Sequence, residues 1–478
     1  MNILLVKPPT PLKVAQRLEG FLHLEPLALE IVAGGINTDK HNVEILDLTT
    51  ESRTDRVFNN RLKKFKPEVI GFTGYSNQAS NIKNLSQMAK RQLDGVFILV
   101  GGIHATIVPI DFNLPGTIDL VVRGEGGSVM PELLECIDRK EPIPESSVFL
   151  LTGSKKFTDL ANTLPPSLPD FKKIPLPRRD LIETSDYYCI QYAGKGQVLK
   201  TLFPPTATVR TSVGCPNHCN FCVVPFLANG KYMQRTPEDV VDEIASIKSN
   251  HIYFVDDEMF INAKRTEKIA KLLIDRNIQK NYVSWARADT ICKHPELFSL
   301  WKEAGLTILY VGLESMEAET LQSYNKGIEP STNLKAVEIL RDLEIGLHAA
   351  LMVHPNFSES DFANLRKSID LITPAEITFT VFSPPPGTDL WKKHKDEFIC
   401  LDPYTFYDCM HTILPTRIPM KTFYRNFAFL YLLAFRNNPW RLNKVKVPFR
   451  DILLFMWRGA LYGNALRNIH ADYKTNSL

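Results

Sequence analysis

The sequence has little net charge and no long hydrophobic run. Its 478 residues carry a formal charge of only +3, which gives no global attraction to nucleic acid. A membrane-spanning helix needs about 18 uncharged apolar residues, and the best run, residues 427–435, is too short. We therefore expect neither a nucleic-acid-binding protein nor an integral membrane protein.

Cysteine is also scarce. Three of the eight cysteines are clustered. The other five lack metal-ligand spacing and predict plain packing residues; they are Cys136, Cys189, Cys292, Cys400 and Cys409. No secretory leader is evident, because Met1 runs directly into a predicted strand. Together these features predict a protein of the reducing cytoplasm.

The length predicts two or three domains, since one ordinary core does not grow this large. We divide the chain into an N-terminal domain (1–140), a proline-rich linker (141–200), a second domain (201–400) and a helical basic C-terminal region (401–478). Seven prolines between residues 141 and 177 argue against strands there. They predict a stiff, packed strap between the domains.

The N-terminal domain predicts an α/β fold. Five apolar runs alternate with helix-like segments, a pattern typical of a doubly wound, Rossmann-like parallel sheet. The runs are residues 2–6, 43–48, 69–73, 97–101 and 120–122. Glycine-rich segments at 71–76, 101–106 and 123–126 follow three of them, where such sheets bind ligands. None is the Gly-x-Gly-x-x-Gly dinucleotide fingerprint, and glycine also closes many α/β strands for steric reasons.

The second domain predicts a partial (β/α)6 barrel of the TIM type. Its candidate strands are residues 207–213, 251–255, 283–286, 307–312, 348–353 and 376–382. Catalytic groups in barrels lie at the C-terminal ends of strands. Polar residues follow these strands: Asp256, Asp257, Glu258, Arg287, Asp289, Glu314, Ser315 and His354. Each also has an ordinary interpretation, because acidic residues cap helices and Arg287 could pair with Asp289.

The strongest signal is the spacing Cys-x3-Cys-x2-Cys at Cys215, Cys219 and Cys222. A structural zinc site needs four protein ligands, and no clear fourth is nearby. An iron–sulfur cubane uses one thiolate per iron, so three cysteines leave one iron open. Incidental cysteines, or a zinc knuckle completed by His218, are the alternatives.

This spacing, with Phe221 before the third cysteine, resembles the signature of the radical S-adenosylmethionine (SAM) superfamily. There the open iron of a 4Fe–4S cluster chelates the amino and carboxylate groups of SAM. SAM is a zwitterion with a ribose diol, so its site needs carboxylates and a cation. Asp256 or Asp257, together with Arg287 and Glu314, fit that requirement, and the resemblance implies that Phe221 borders the cofactor.

The N-terminal domain resembles the cobalamin-binding domain that precedes many radical SAM domains. The shared loops are Gly-Gly-x-His-x-Thr and Arg-Gly-Glu-Gly, and the resemblance implies that they contact cobalamin. The implied contacts are Gly101, Gly102, His104, Thr106, Gly124 and Glu125. The Asp-x-His-x-x-Gly motif is absent, which implies cobalamin without a histidine ligand. Tyr75 and His104 are candidates for the lower face of cobalt; a loop histidine bonded to backbone, or a domain that no longer binds cobalamin, is the alternative.

Nearly the whole chain resembles cobalamin-dependent radical SAM methyltransferases, and most of all the hopanoid C-3 methylase subgroup. The shared segments are residues 24–27, 255–257, 312–314, 386–388, 414–417 and 423–425. The resemblance implies methyl transfer from SAM through methylcobalamin to an unactivated carbon of a hopanoid-type lipid, with a reducing partner such as flavodoxin or ferredoxin. The open alternatives are a glutamine or arginine carbon of a protein, a natural-product intermediate, ring formation without methylation, and a non-catalytic cobalamin sensor.

The C-terminal region is basic and partly apolar. From Lys421 onward, ten Lys and Arg residues face two Asp residues, beside apolar runs at 427–435 and 452–457. Such a pattern suits a helix lying on an anionic membrane surface. It equally suits a helical cap that closes the barrel.

Overall fold

The structure, a computed structural model, describes residues 1–192, 203–437 and 449–475. The strands are β1 (Asn2–Lys7), β2 (Leu22–His23), β3 (Asn42–Asp47), β4 (Val69–Thr73), β5 (Phe97–Gly101), β6 (Leu120–Val122), β7 (Phe149–Leu151), β8 (Tyr188–Cys189), β9 (Ala207–Val209), β10 (Ser212–Val213), β11 (Met233–Gln234), β12 (His251–Phe254), β13 (Asn281–Ala286), β14 (Leu306–Glu314), β15 (Gly346–Val353) and β16 (Glu376–Val381).

The helices follow the same chain order. They are α1 (Lys13–Leu18), α2 (Leu27–Gly34), α3 (Thr54–Phe65), α4 (Ala79–Gln92), α5 (Ile103–Ile107), α6 (Gly126–Arg139), α7 (Phe157–Ala161), α8 (Val224–Leu227), α9 (Pro237–Ser246), α10 (Ala263–Asp275), α11 (Ala288–Lys293), α12 (Pro295–Ala304), α13 (Ala318–Ser323), α14 (Pro330–Asp342), α15 (Glu359–Ile372), α16 (Asp389–His394), α17 (Met420–Asn437) and α18 (Phe449–Arg467).

The N-terminal sheet has the order β3-β1-β4-β5-β6-β7, and its first five strands are parallel. The predicted doubly wound sheet is confirmed. Its helices bury one apolar face each; α3, for example, buries Phe58, Leu62 and Phe65 at helical spacing. The three glycine-rich segments lie at the carboxyl ends of β4, β5 and β6, where a ligand would bind.

The prediction that no strand occurs between residues 141 and 177 is wrong. Residues Phe149–Leu151 form β7, which pairs antiparallel with β6 in the register Val122↔Phe149. The prolines of this segment flank the short apolar run and do not interrupt it, so its backbone N–H groups remain free to pair. The described part of the strap is packed: the buried Arg123 guanidinium donates to the backbone oxygens of Leu160 (3.1 Å) and Thr163 (2.9 Å). Residues 193–200 of the predicted linker lie outside the described residues.

The second sheet contains six parallel strands in the order β9-β12-β13-β14-β15-β16. The predicted partial barrel is confirmed. The helix after β11 begins where the sequence predicts it, because Thr236 caps α9 by accepting the Asp239 N–H (3.3 Å) and Pro237 occupies its first turn. The large core cluster joins the outward strand faces to the surrounding helices.

Side chains from outside the barrel cover both free edges of this open sheet. At β9, the Thr208 N–H donates to Glu25 Oε2 (2.7 Å), and Arg179 Nη2 donates to the Thr208 oxygen (2.6 Å). At β16, the Phe379 N–H donates to Tyr431 Oη (3.2 Å), which in turn donates to the Phe379 oxygen (2.6 Å). Exposed strand edges invite pairing with other chains, and these contacts satisfy backbone groups on both edges.

The C-terminal region differs in part from its prediction. Residues 401–419 contain no helix, and the helices begin at Met420. The inner faces of α17 and α18 join the barrel core through buried side chains, as a helical cap would; these are Phe423, Tyr424, Phe427, Leu430, Phe455, Tyr462 and Leu466. The basic residues Arg441, Lys444 and Lys446 lie outside the described residues. In the described ranges, every helix is too short or too polar to cross a bilayer.

Candidate active site

The cysteine loop lies inside a small hairpin formed by β10 and β11, at the mouth of the barrel. Gly214 opens the loop at φ +89°, and a Cβ there would lie 2.1 Å from the Lys231 oxygen, so only glycine fits. Asp257 accepts the Gly214 N–H (2.8 Å). Asp256 is buried and accepts from the N–H and hydroxyl of Thr211 (3.1 and 2.7 Å). Both aspartates therefore hold the start of the loop in place.

A segment after α13 clamps the loop from the opposite side. The Asn220 N–H donates to the Tyr324 oxygen (3.2 Å), and its amide donates to the Ser323 oxygen (2.6 Å). Asn325 Nδ2 donates to the His218 oxygen (2.7 Å). The sequence analysis missed this clamp. The sequence could have indicated a turn here, because Asn325 and Gly327 are residue types that favour turns. Both adopt positive φ.

Charged groups at the barrel mouth adjoin the cysteines. Arg287 Nη1 lies 3.7 Å from Cys219 Sγ, and its Nη2 donates to the Lys326 oxygen (2.8 Å). Lys326 Nζ pairs with Glu314 Oε1 (3.0 Å) and lies 5.7 Å from the centre of the Phe221 ring. The structure thus brings together Phe221, Arg287 and Glu314, and it adds Lys326, which sequence reasoning missed. Arg287 also pairs with Asp289 at 2.9 Å, as its ordinary interpretation predicts, and its contact with SAM stays a prediction.

The three thiols suit an iron–sulfur cluster better than a single metal ion. Burial, with smaller contributions from charge on Cys219, Asp257 and Cys215, raises the pKa of Cys222 to about 12. These thiolates need a cationic partner, which a cluster supplies. In the described part of the chain, no three His, Cys, Asp or Glu side chains converge on one metal-ion position. Three thiolates on one loop fit a cubane, which places each thiolate on its own iron and leaves the fourth iron open.

The predicted cobalamin residues lie together at the carboxyl edge of the first sheet. Thr106 Oγ1 accepts the Gly124 N–H (2.9 Å) and donates to the Gly102 oxygen (2.8 Å), so it joins two of the glycine loops. Gly102 has φ +93°, and a Cβ there would lie 2.6 Å from Thr73 Oγ1. Gly101 precedes it at the end of β5. Glu125 Oε2 binds Arg210 Nη2 (2.9 Å) of the barrel, so Glu125 also joins the two domains.

The two candidates for the lower face of cobalt have very different surroundings. His104 is fully buried, and its Nδ1 and Nε2 lie 3.0 Å from Ser76 Oγ and Asp111 Oδ2. Coordination to cobalt would break one of these bonds. Tyr75 is 60% exposed at the same edge, and the buried Asn77 Oδ1 beside it has no hydrogen-bond partner. An open aromatic ring and an unsatisfied buried oxygen fit a bound corrinoid with polar side groups.

The cysteine loop and the cobalamin edge face each other. Helix α8, directly after the cysteines, contacts α5 of the N-terminal domain. The Tyr404 ring packs edge-on against His104 with centroids 4.9 Å apart. Gly387 adopts φ +79° beside Ile107, whose oxygen would lie 3.1 Å from an added Cβ. The arrangement can therefore hold two cofactors against one shared space between the domains.

Comparison with known proteins agrees with this arrangement. The B12 binding domain matches residues 18–134, and the Radical SAM superfamily matches residues 209–369. The chain is 32% identical over 408 residues to hopanoid C-3 methylase of Methylococcus capsulatus, covering 84% of this chain and 75% of that relative. This chain belongs to the cobalamin-dependent radical SAM methyltransferase family. The enzyme accordingly uses a 4Fe–4S cluster, SAM and cobalamin.

Solved structures share the fold of this enzyme. The radical SAM methyltransferase TsrM from Kitasatospora setae, solved with tryptophan and a SAM analogue, has a TM-score of 0.61 at 16% identity and covers 81% of this chain and 74% of its own. The cobalamin-dependent SAM radical enzyme OxsB, with aqua-cobalamin and SAM bound, has a TM-score of 0.60 at 16% identity. The match covers 94% of this chain and 62% of the OxsB chain. The predicted order of a cobalamin domain followed by a radical SAM barrel is therefore confirmed.

Proposed function

We propose that this enzyme transfers a methyl group from SAM, through methylcobalamin, to an unactivated carbon of a hopanoid-type polycyclic lipid. The similarity to hopanoid C-3 methylase, which extends over most of both chains, carries this proposal. A domain match alone would cover only the cofactor sites. The similarity also includes the elements that surround the barrel interior, where an acceptor would bind.

The aromatic lining of the barrel interior supports a flat apolar acceptor. Trp285, Tyr310 and His348 stand on three successive strands, with ring centroids 3.7 Å and 4.3 Å apart. Trp285 and Tyr310 are only half-buried, so part of each ring faces open space. A saturated polycycle offers few hydrogen-bonding groups near a ring carbon. Shape and apolar contact must therefore position it, and these closely spaced rings supply both.

The residues of the chain hold the cofactors and keep the space dry. When bound, the cluster, SAM and cobalamin supply hydrogen abstraction and the methyl group. We assign Cys215, Cys219 and Cys222 to the cluster, and Arg287, Glu314 and Asp257 to the SAM end of the site. The charged groups lie at the mouth of the barrel and the aromatic groups inside it. This separation confines polar binding to SAM and leaves an apolar region for the acceptor.

The direct test is an anaerobic incubation with SAM, cobalamin and a reductant. One sample contains a hopanoid extract, and the matched sample contains glutamine- and arginine-bearing peptides. We expect the added mass of one methyl group on a hopanoid only. Methylated peptide would replace the acceptor class, and deoxyadenosine without any methylated product would indicate ring formation or another rearrangement.

Substitution of each cluster cysteine tests the chemistry independently of the acceptor. Cys215→Ala, Cys219→Ala and Cys222→Ala should each abolish SAM cleavage under dithionite, because a cubane that loses a ligand no longer presents its open iron correctly. Cys292→Ala is the matched control, since this half-buried thiol donates to the Thr332 oxygen (3.4 Å) and lies outside the loop. Cleavage retained in all three loop variants would refute the enzymatic assignment.

A further inference from the structure

The outer faces of α17 and α18 are apolar. Phe429 and Leu432 on α17 are 44% and 64% exposed. Leu453, Met456 and Trp457 on α18 are 50%, 61% and 59% exposed, at positions i, i+3 and i+4 of one helix face. Soluble surfaces seldom present so many large apolar side chains on two adjoining helices. This group of five residues is the outer apolar face.

The barrel core does not need these residues. The inner faces of the two helices already supply the core with a separate set of buried side chains, among them Phe427, Leu430, Phe455 and Tyr462. The two helices also pack against each other. Each helix therefore has two apolar stripes. One packs into the barrel core, and the other faces outward.

Basic side chains border the outer apolar face. Lys421 and Arg425 are exposed and precede Phe429 at intervals of four residues, on the same side of α17. Arg450 is exposed one turn before Leu453 on α18. Residues 420–433 of α17 contain the cations Lys421 and Arg425 and no acidic residue. The three exposed cations therefore favour a partner that carries negative charge.

These charges disfavour a second copy of the chain as the partner. A self-complementary contact would bring two strongly basic surfaces together, and like charges at an interface oppose association. An anionic bilayer offers the opposite arrangement: negative headgroups for the basic residues, and an interfacial region for Trp, Phe and Leu side chains.

The surface also adjoins the barrel. On the inner side of α17, Tyr431 bonds the Phe379 backbone of β16, while the next residue, Leu432, points outward. One helix, about 10 Å across, thus separates the outer apolar face from the edge of the barrel. A lipid acceptor held in a bilayer would therefore lie close to the barrel.

We propose that the outer apolar face and its basic border, Lys421, Arg425 and Arg450, bind the surface of an anionic phospholipid bilayer. The inference deepens the proposed function, because a polycyclic lipid acceptor resides in such a bilayer. Its test uses neither acceptor nor turnover. A failure of vesicle binding therefore leaves the acceptor open, and a failure of hopanoid methylation leaves vesicle binding standing.

The experiment is flotation of the full-length holoenzyme with vesicles of phosphatidylcholine, alone or mixed with phosphatidylglycerol. We expect binding to the anionic vesicles that weakens as salt rises. Lys421→Gln with Arg425→Gln should lower the affinity about 25-fold, from roughly fivefold per charge. Leu453→Ser, Met456→Ser and Trp457→Ser together should lower it at least about tenfold, since each side chain loses apolar contact.

The matched controls remove equivalent groups elsewhere. Leu164→Ser replaces a side chain that is 68% exposed on the strap, and Lys63→Gln with Lys64→Gln removes two exposed charges from α3. Both should bind vesicles as the wild type does. Equal loss in the controls, or no loss in the α17 and α18 variants, would overturn the proposal. The proposal would also be overturned if light scattering showed the wild type to be a dimer that does not bind vesicles, and the triple serine variant to be a monomer.

Discussion

At the scale of single residues, the barrel mouth depends on a strained glutamate. Glu314 adopts φ +61° at a bulge in β14, a backbone conformation that residues other than glycine rarely adopt. Gly312 makes room for it, because a Cβ there would lie 2.5 Å from Glu314 Oε1. The surrounding structure over-determines this geometry and directs the carboxylate toward Lys326.

Removing Lys326 should therefore be costly. Lys326→Met leaves the buried Glu314 carboxylate without its ion-pair partner, and we expect the free energy of unfolding to fall by about 3 kcal/mol. Urea denaturation of the apoprotein measures this change. Adding Glu314→Gln to Lys326→Met should restore most of the loss. Equal destabilisation in the single and double variants would show that the ion pair is not the cause.

The residues of this site differ in how well the sequence predicts them. The cysteines are predictable because their ligand spacing lies within one loop. Asn325 reaches that loop across 107 residues by donating to the His218 oxygen, and Lys326 Nζ lies 5.7 Å from the centre of the Phe221 ring. Such long-range contacts leave no periodic pattern in the sequence. The sequence also cannot show that both ring nitrogens of His104 have partners, since Ser76 and Asp111 come from other loops.

At the scale of elements, a charged histidine anchors the C-terminal end of the chain. His411 is fully buried, with Nδ1 2.8 Å from Asp408 Oδ2 and Nε2 3.1 Å from Asp472 Oδ2. Burial alone would lower the pKa of His411, but the two aspartates outweigh it and raise that pKa to about 9. The segment Ile469–Thr475 is thereby tied to the loop before α17.

This contact predicts a pH-dependent stability. Because the folded-state pKa of His411 is raised, its stabilisation is complete below the unfolded value of 6.5 and is lost as the pH rises through about 9. We expect wild-type protein to lose about 3 kcal/mol more of its unfolding free energy than His411→Gln between pH 6.5 and pH 9.5. Parallel slopes for the two proteins in urea titrations would contradict the assignment.

Elements are more predictable than their ends. The parallel strands of both sheets follow from buried apolar runs, which central strands require. The short strand β7 was missed because three apolar residues among prolines carry little signal. The edge contacts of β9 and β16 come from single polar groups, Glu25, Arg179 and Tyr431, whose roles depend on tertiary structure alone.

At the scale of the whole molecule, a buried charged cluster joins the N-terminal domain, the strap and the barrel. Arg179 Nη1 lies 2.6 Å from Glu25 and 3.5 Å from Glu30, and its Nη2 lies 2.8 Å from Glu243. One arginine thus contacts three carboxylates. Arg235 also pairs with Glu243. Burial and the negative charges on Glu25 and Glu243 raise the pKa of Glu30, and the positive charge on Arg179 lowers it. The net effect is a rise from 4.5 to about 8.

Glu30 should therefore be protonated in the folded enzyme at neutral pH. A raised carboxyl pKa contributes stability at low pH that is lost as the pH rises from about 4.5 through about 8. Glu30→Gln mimics the protonated form, and we expect it to be more stable than wild type at pH 8.5 by about 2 kcal/mol.

The matched control is Glu25→Gln. Burial raises the pKa of Glu25 as well, but Glu25 Oε2 accepts from Arg179 and from the N–H and hydroxyl of Thr208. An amide oxygen accepts these bonds more weakly than a carboxylate does, so this change should destabilise the protein at the same pH. Thermal unfolding of both variants at pH 6 and pH 8.5 distinguishes the two roles. Destabilisation by Glu30→Gln at pH 8.5 would mean that Glu30 is ionised in the folded state.

The two covered edges of the barrel have a consequence for biosynthesis. When β9 emerges from the ribosome, Glu25 and Arg179 have already been made, so its edge can be shielded at once. The last strand, β16, has no such advantage, because 50 residues separate Val381 from Tyr431. During that interval the nascent chain exposes an unpaired edge that can capture neighbouring chains. Chains terminated before α17 would keep this edge open and should accumulate as aggregates.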